Sequence, residues 1–174
     1  KIGANGANYK AMEFGGEGLR SLGIADRAAL CNLCVEAGAK TGLCEVDETT
    51  LAYLKEQGRE PVAVLNPDAD ADYEEVFEID LSEIRPIVAK PHFVDNVVPA
   101  EECSGIPIDE AFLGSCNNGR IEDLRVGAEL LRGRKVADSV RFLVVPASRA
   151  VYEEALREGL LKIFMDAGAI VMNP

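Results

Sequence analysis

A chain of 174 residues that is 48% hydrophobic and 28% charged can bury a core in one medium domain or in parts of two. Its formal net charge of −12 argues against nucleic acid or an anionic membrane as the main partner, because both need a basic face. No apolar run reaches the length of a transmembrane helix and no signal peptide opens the chain, which points to the cytoplasm.

The first residue is Lys1 and the last, Pro174, directly follows an expected strand, so both ends read as cut. Residues 1–14 are expected to begin with the end of a helix, interrupted by Gly3 and Gly6, and a flexible Gly15-Gly16-Glu17-Gly18 turn follows. Asp26 is placed to cap a helix over 27–37 that Gly38 stops. A second helix is expected over 48–57, ended by Gly58. An acidic loop at 66–72 leads to a strand at 76–79, then a short strand and a turn around 86–91.

The second half alternates more clearly. An apolar run at 111–113 is followed by Gly114-Ser115-Cys116-Asn117-Asn118-Gly119. A helix over 120–131 carries Ile121, Leu124, Ala128 and Leu131 on one face, with Gly133 as its stop. A strand at 140–145 ends at Pro146. Ser148 caps one long helix at 149–166, and Gly168 leads into a strand at 169–172. Strand, helix, strand, helix, strand is the pattern of a parallel sheet with crossover helices. The expected class is α/β, three-layered, with a mostly parallel sheet. A domain boundary is placed near the Pro-rich shift, dividing the chain into 1–82 and 83–174.

Five cysteines, Cys31, Cys34, Cys44, Cys103 and Cys116, are an odd number, which suits reduced thiols. Ligands of parallel sheets bind beyond the carboxyl ends of the strands. Cys116 lies in such a loop and just before a helix, where free N–H groups favour a thiolate. It is the candidate metal ligand or nucleophile, against the plainer reading of a small residue in a tight turn.

Other motifs are weaker. Cys31-x-x-Cys34 lies inside an expected helix without a second pair at zinc spacing, and reads as buried core thiols. Asp68, Asp70 and Asp72 resemble the start of a calcium loop, but Tyr73 and Ile79 stand where Gly and Glu belong. His92 is the one histidine and sits in an expected turn. Asn32 and Glu36 are four apart on one helix and share a face. On a mostly buried helix they need partners, whether a local hydrogen-bond network or a ligand.

Four collinear stretches carry a resemblance: YKAMEFGGEGLRSLGIADRAALCN (Tyr9–Asn32), VEAGAKTGLCEVDE (Val35–Glu48), GSCNNGRIEDLR (Gly114–Arg125) and VVPASRAVYEEALREGL (Val144–Leu160). Together they resemble the aconitase superfamily, in the branch of the 3-isopropylmalate dehydratase and homoaconitase large subunits. The resemblance implies aconitase-like domains and a 4Fe–4S cluster held by three cysteines. Cys116 matches the first of them, and two more are expected beyond residue 174, just after an Asn-Pro pair. It implies a hydro-lyase that isomerises 2-isopropylmalate and 3-isopropylmalate, in leucine biosynthesis, with homoaconitate as an alternative substrate. Asn32 and Glu36 match the family's catalytic Asn and Glu, and Ser115 and Asn118 match substrate-lining positions. Asn117 departs from the family's Thr. The implied partners are a small hydroxy-dicarboxylic acid and a small subunit, which brings the swivelling domain and the catalytic serine. Residues 1–174 alone are then expected to be inactive. Two readings of other kinds remain beside it: a non-catalytic partner-binding domain, and a dithiol protein using Cys31 and Cys34.

Overall fold

The computed structural model describes residues 2–115 and 117–174. The chain forms two compact units, 1–104 and 105–174. This division falls later than the domain boundary placed after residue 82.

In the first unit, β1 (Ala11–Phe14) pairs in parallel with β2 (Thr41–Cys44), Ala11 opposite Thr41 and Phe14 opposite Cys44. Residues 4–9 form turns rather than the end of a helix, and the strand follows them. Between the two strands runs α1 (Ile24–Leu33). Asp26 caps it from inside the first turn, not from in front of it: its Oδ2 accepts the Gly23 N–H at 3.0 Å. The last turn of α1 tightens into a 3₁₀ turn, Cys34–Ala37, and Gly38 ends it at φ 84°. Gly38 is required there twice over, since a Cβ would also meet Asn8 Oδ1 at 1.9 Å. Helix α2 (Glu48–Glu56) is capped by Asp47, which accepts the Thr50 N–H at 3.2 Å.

The expected strand at 76–79 does not form. Val76, Phe77 and Ile79 are exposed, and no sheet edge pairs with them among the described residues. β-propensity without a partner strand satisfies no backbone groups. The residues just before it are held by side chains, Tyr73 Oη donating to Glu13 at 2.8 Å and Lys10 pairing with Glu74 at 2.7 Å. The strand near 86–91 does form: β3 (Ile87–Ala89) pairs antiparallel with β4 (Val97–Pro99). His92 lies exposed in the turn between them.

The second unit is a parallel three-stranded sheet in the order β5 (Glu110–Gly114), β6 (Arg141–Val145), β7 (Ile170–Val171). The crossovers are α3 (Ile121–Leu131) and a helical pair, α4 (Arg149–Arg157) and α5 (Leu160–Ala167). The single long helix expected at 149–166 breaks at Gly159, whose φ of 76° leaves the right-handed helical region. Leu124, Val144 and Phe164 are fully buried at the centre of this unit, with Phe142 edge-on to Phe164 at 6.5 Å. Gly127 lets α3 lie close to β5, where a Cβ would meet Leu113 at 2.6 Å. The α/β class with mostly parallel sheets holds.

Candidate active site

The first candidate pair, Asn32 and Glu36, lies where α1 turns into the 3₁₀ turn. Both side chains are exposed and have no partner among the described residues. This corrects the expectation of a mostly buried helix. The neighbouring apolar side chains are also open, Leu33 at 52% and Val35 at 63%. Two polar groups thus stand in a small apolar surface patch, ready to meet a ligand or another protein surface.

What fixes this helix is a residue that sequence reasoning passed over. Arg27 is 4% exposed and every nitrogen of its guanidinium is engaged. Nη1 and Nη2 each reach an Asp47 carboxylate oxygen at 2.7 Å. Nε donates to Leu22 O at 3.0 Å, Nη2 to Leu19 O at 2.9 Å and Nη1 to Thr50 Oγ1 at 3.1 Å. A bidentate, fully bonded pair is the arrangement in which a buried charge is tolerated. The hydrogen bonds from Arg27 hold the Asp47 carboxyl down at about 2. The pair clamps the start of α1 to the start of α2. The available signal was an Arg on the apolar side of α1 with an Asp at the cap of the next helix.

The second candidate set lies in the loop from β5 to α3. Cys116 itself is outside the described residues. Its neighbour Ser115 is exposed and adopts φ 85°, unusual for a residue with a Cβ. Gly114 and Gly119 bracket the loop, and both crowd Val145 O, at 1.9 Å and 2.6 Å from an added Cβ. Gly119 O accepts the Ala147 N–H at 2.8 Å, so this loop is tied to the end of β6. Asp123, in the first turn of α3, accepts the N–H groups of Gly119 and Arg120 at 3.0 Å each. Asn118 donates a longer bond to the same carboxylate, at 3.4 Å. Asp123 was not among the expected site residues, although an acid three places into a helix after a glycine loop is a capping signal. Asn117 Oδ1 and Arg120 Nε are buried with no partner among the described residues. Ser115 and Asn118 share this loop, in the second unit, and Asn32 and Glu36 share the end of α1 and its 3₁₀ turn in the first.

A family model described as "Aconitase family (aconitate hydratase)" matches residues 1–174. The chain belongs to the aconitase family. It is 52% identical over 174 residues to the probable 3-isopropylmalate dehydratase large subunit of Methanothermobacter thermautotrophicus, covering all of this chain and 42% of that protein. It is 49% identical to the 3-isopropylmalate dehydratase large subunit of Caldicellulosiruptor saccharolyticus, over 99% of this chain and 41% of that protein. It is 51% identical to 3-isopropylmalate dehydratase large subunit 1 of Archaeoglobus fulgidus, again over 99% of this chain and 41% of the relative. The chain thus spans about two fifths of these aconitase-family relatives. No helix among the described residues is long and apolar enough to cross a membrane.

Proposed function

We propose that this aconitase-family chain is part of the large subunit of a hydro-lyase that interconverts 2-isopropylmalate and 3-isopropylmalate by loss and return of water. The observation that carries this reading is the collinear match of the whole chain, at about half identity, to 3-isopropylmalate dehydratase large subunits. The placing of Asn32 and Glu36 supports it, because an exposed amide and carboxylate one helical turn apart can share one ligand.

A 4Fe–4S cluster would be held by Cys116 and by two further cysteines outside residues 1–174. When bound, it would supply a Lewis acid that helps the substrate's hydroxyl to leave. The loop fits such a group on its chemistry. It leaves a buried donor on a cation, Arg120 Nε, and a buried acceptor, Asn117 Oδ1, without partners, and unpaired burial is costly. Sulfur atoms of a cluster accept hydrogen bonds, so Arg120 Nε could donate to one. Among the described residues no three His, Cys, Asp or Glu side chains form a metal site of their own.

In this scheme Glu36 donates a proton to the departing hydroxyl and takes one back on rehydration. Asn32 orients that hydroxyl through its amide. Ser115 and Asn118 line the substrate's side of the Cys116 loop. The base that removes the carbon-bound proton comes from a serine of a separate small subunit, which completes a heterodimer. The setting is cytoplasmic leucine biosynthesis. Homoaconitate is the second substrate to test, since residues that read the substrate's side chain are not identified in 1–174.

The test is a dehydration assay of the full-length large subunit combined with its small subunit, offered isopropylmalate and homoaconitate separately. Turnover of isopropylmalate supports the reading. Turnover of homoaconitate alone would replace the substrate while keeping the chemistry, and turnover of neither would favour a non-catalytic partner-binding domain.

A further inference from the structure

Three of the five cysteines cluster where α1 meets β2, away from the Cys116 loop in sequence. The adjacent pair in sequence is Cys31 and Cys34, but the structure pairs them differently. Cys34 is 3% exposed and donates to Leu30 O at 3.2 Å, inside its own helix. It belongs to the small core with Ala7 and Ala39. Cys31 instead meets Cys44 across the helix–strand contact, with the two Sγ atoms 3.6 Å apart. The two elements are pressed together here: a Cβ on Gly42 would meet Cys34 Sγ at 2.5 Å and Cys31 Cα at 2.8 Å. Both Cys31 and Cys44 are half-buried.

We propose that Cys31 and Cys44 are an oxidisable thiol pair that closes to an intrachain disulfide in the presence of a small peroxide. The sulfurs already touch, and a disulfide needs them at about 2.05 Å. That is a movement of the order of one side-chain torsion, within reach of half-buried thiols. The chemistry balances with hydrogen peroxide as the oxidant. One thiol displaces water from the peroxide and becomes a sulfenic acid. The second sulfur attacks that sulfenic sulfur, its proton leaves with the hydroxyl as a second water, and the S–S bond forms. Peroxide is reduced to two waters and two thiols are oxidised to one disulfide.

Burial and the neighbouring Cys31 push the Cys44 thiol up to about 12, so it rests protonated. A protonated thiol reacts slowly, so the link should form faster as the pH rises. The bond would tie α1 to the end of β2, directly beside Asn32. The inference does not depend on the proposed dehydratase reading, because its readout is the covalent state of the sulfurs.

The experiment treats the full-length protein with hydrogen peroxide, removes the oxidant with catalase, then denatures, alkylates with iodoacetamide and digests without reductant. The expected result is a linked peptide pair containing Cys31 and Cys44, lighter by two hydrogens than the separate peptides and parted by dithiothreitol. In a Cys44→Ala variant the link is absent and Cys31 is recovered as its sulfenic or sulfinic form. Both cysteines alkylated as fully as in untreated protein, both oxidised without a link, or either joined by preference to another cysteine would overturn the proposal. The mapping on the unsubstituted protein decides this even if the variant fails to fold.

Discussion

Arg27 and Asp47 meet through two parallel hydrogen bonds of 2.7 Å, and that pair fixes the helix on which Asn32 stands. Removing one partner leaves a buried charge unpaired. Asp47→Asn is expected to destabilise the protein by roughly 3 kcal/mol. The shift in urea midpoint of the full-length protein measures it.

The same pair sets an acid limit. The Asp47 carboxyl is held down at about 2 from an ordinary 3.8 by its bonds to Arg27. Its contribution is complete above pH 3.8 and is lost as the pH falls towards about 2. Between those values the unsubstituted protein should lose stability more steeply than Asp47→Asn. Parallel slopes would mean that the pair contributes little.

At Gly42, β2 lies too close to α1 for a side chain. An alanine there meets backbone atoms of Cys31, its Cα at 2.8 Å and its O at 2.9 Å, which cannot rotate away. Gly42→Ala should therefore cost about 1–3 kcal/mol. It should also change the Cys31–Cys44 contact, so linked-peptide yield after peroxide serves as a second readout.

Asp123 holds the Cys116 loop to the start of α3. Asp123→Ala removes the acceptor of the Gly119 and Arg120 N–H groups, at a cost of about 1 kcal/mol. Hydrogen exchange at those two amides should accelerate, while exchange within β6 should not.

The spacing of residues foretold much of this architecture. Gly38 and Gly58 were legible as stops because a positive φ is a local demand that glycine meets, and both adopt one. The sheet β5–β6–β7 was legible because its strands and helices alternate in sequence. Misses arose where the answer is tertiary. Val76 and Phe77 look like a strand, but among the described residues no neighbouring strand pairs with them. Gly159 was read through by an apolar pattern that continues on both sides of the break. At the candidate site the four-residue spacing of Asn32 and Glu36 was visible, but their exposure was not. Nothing local joins Cys31 to Cys44 rather than to Cys34, because that contact depends on how β2 lies against α1. Asp123 stands outside the loop motif, and its role shows only once the Gly119 and Arg120 N–H groups turn towards it. Cys116 lies outside the described residues, and its proposed role as a ligand rests on the motif around it.

Residues 1–174 taken alone, with one of the three expected cluster thiols, should not hydrate an unsaturated intermediate. Activity of that piece without the remaining sequence or a small subunit would contradict the proposed division of the site.

The most direct test of the central claim is the dehydration rate of isopropylmalate by full-length large and small subunits, with Glu36→Gln beside the unsubstituted protein. The expected result is a fall in kcat of about 10²–10⁴-fold, with the iron–sulfur absorbance unchanged. An undiminished kcat in Glu36→Gln, with the same absorbance, would contradict it.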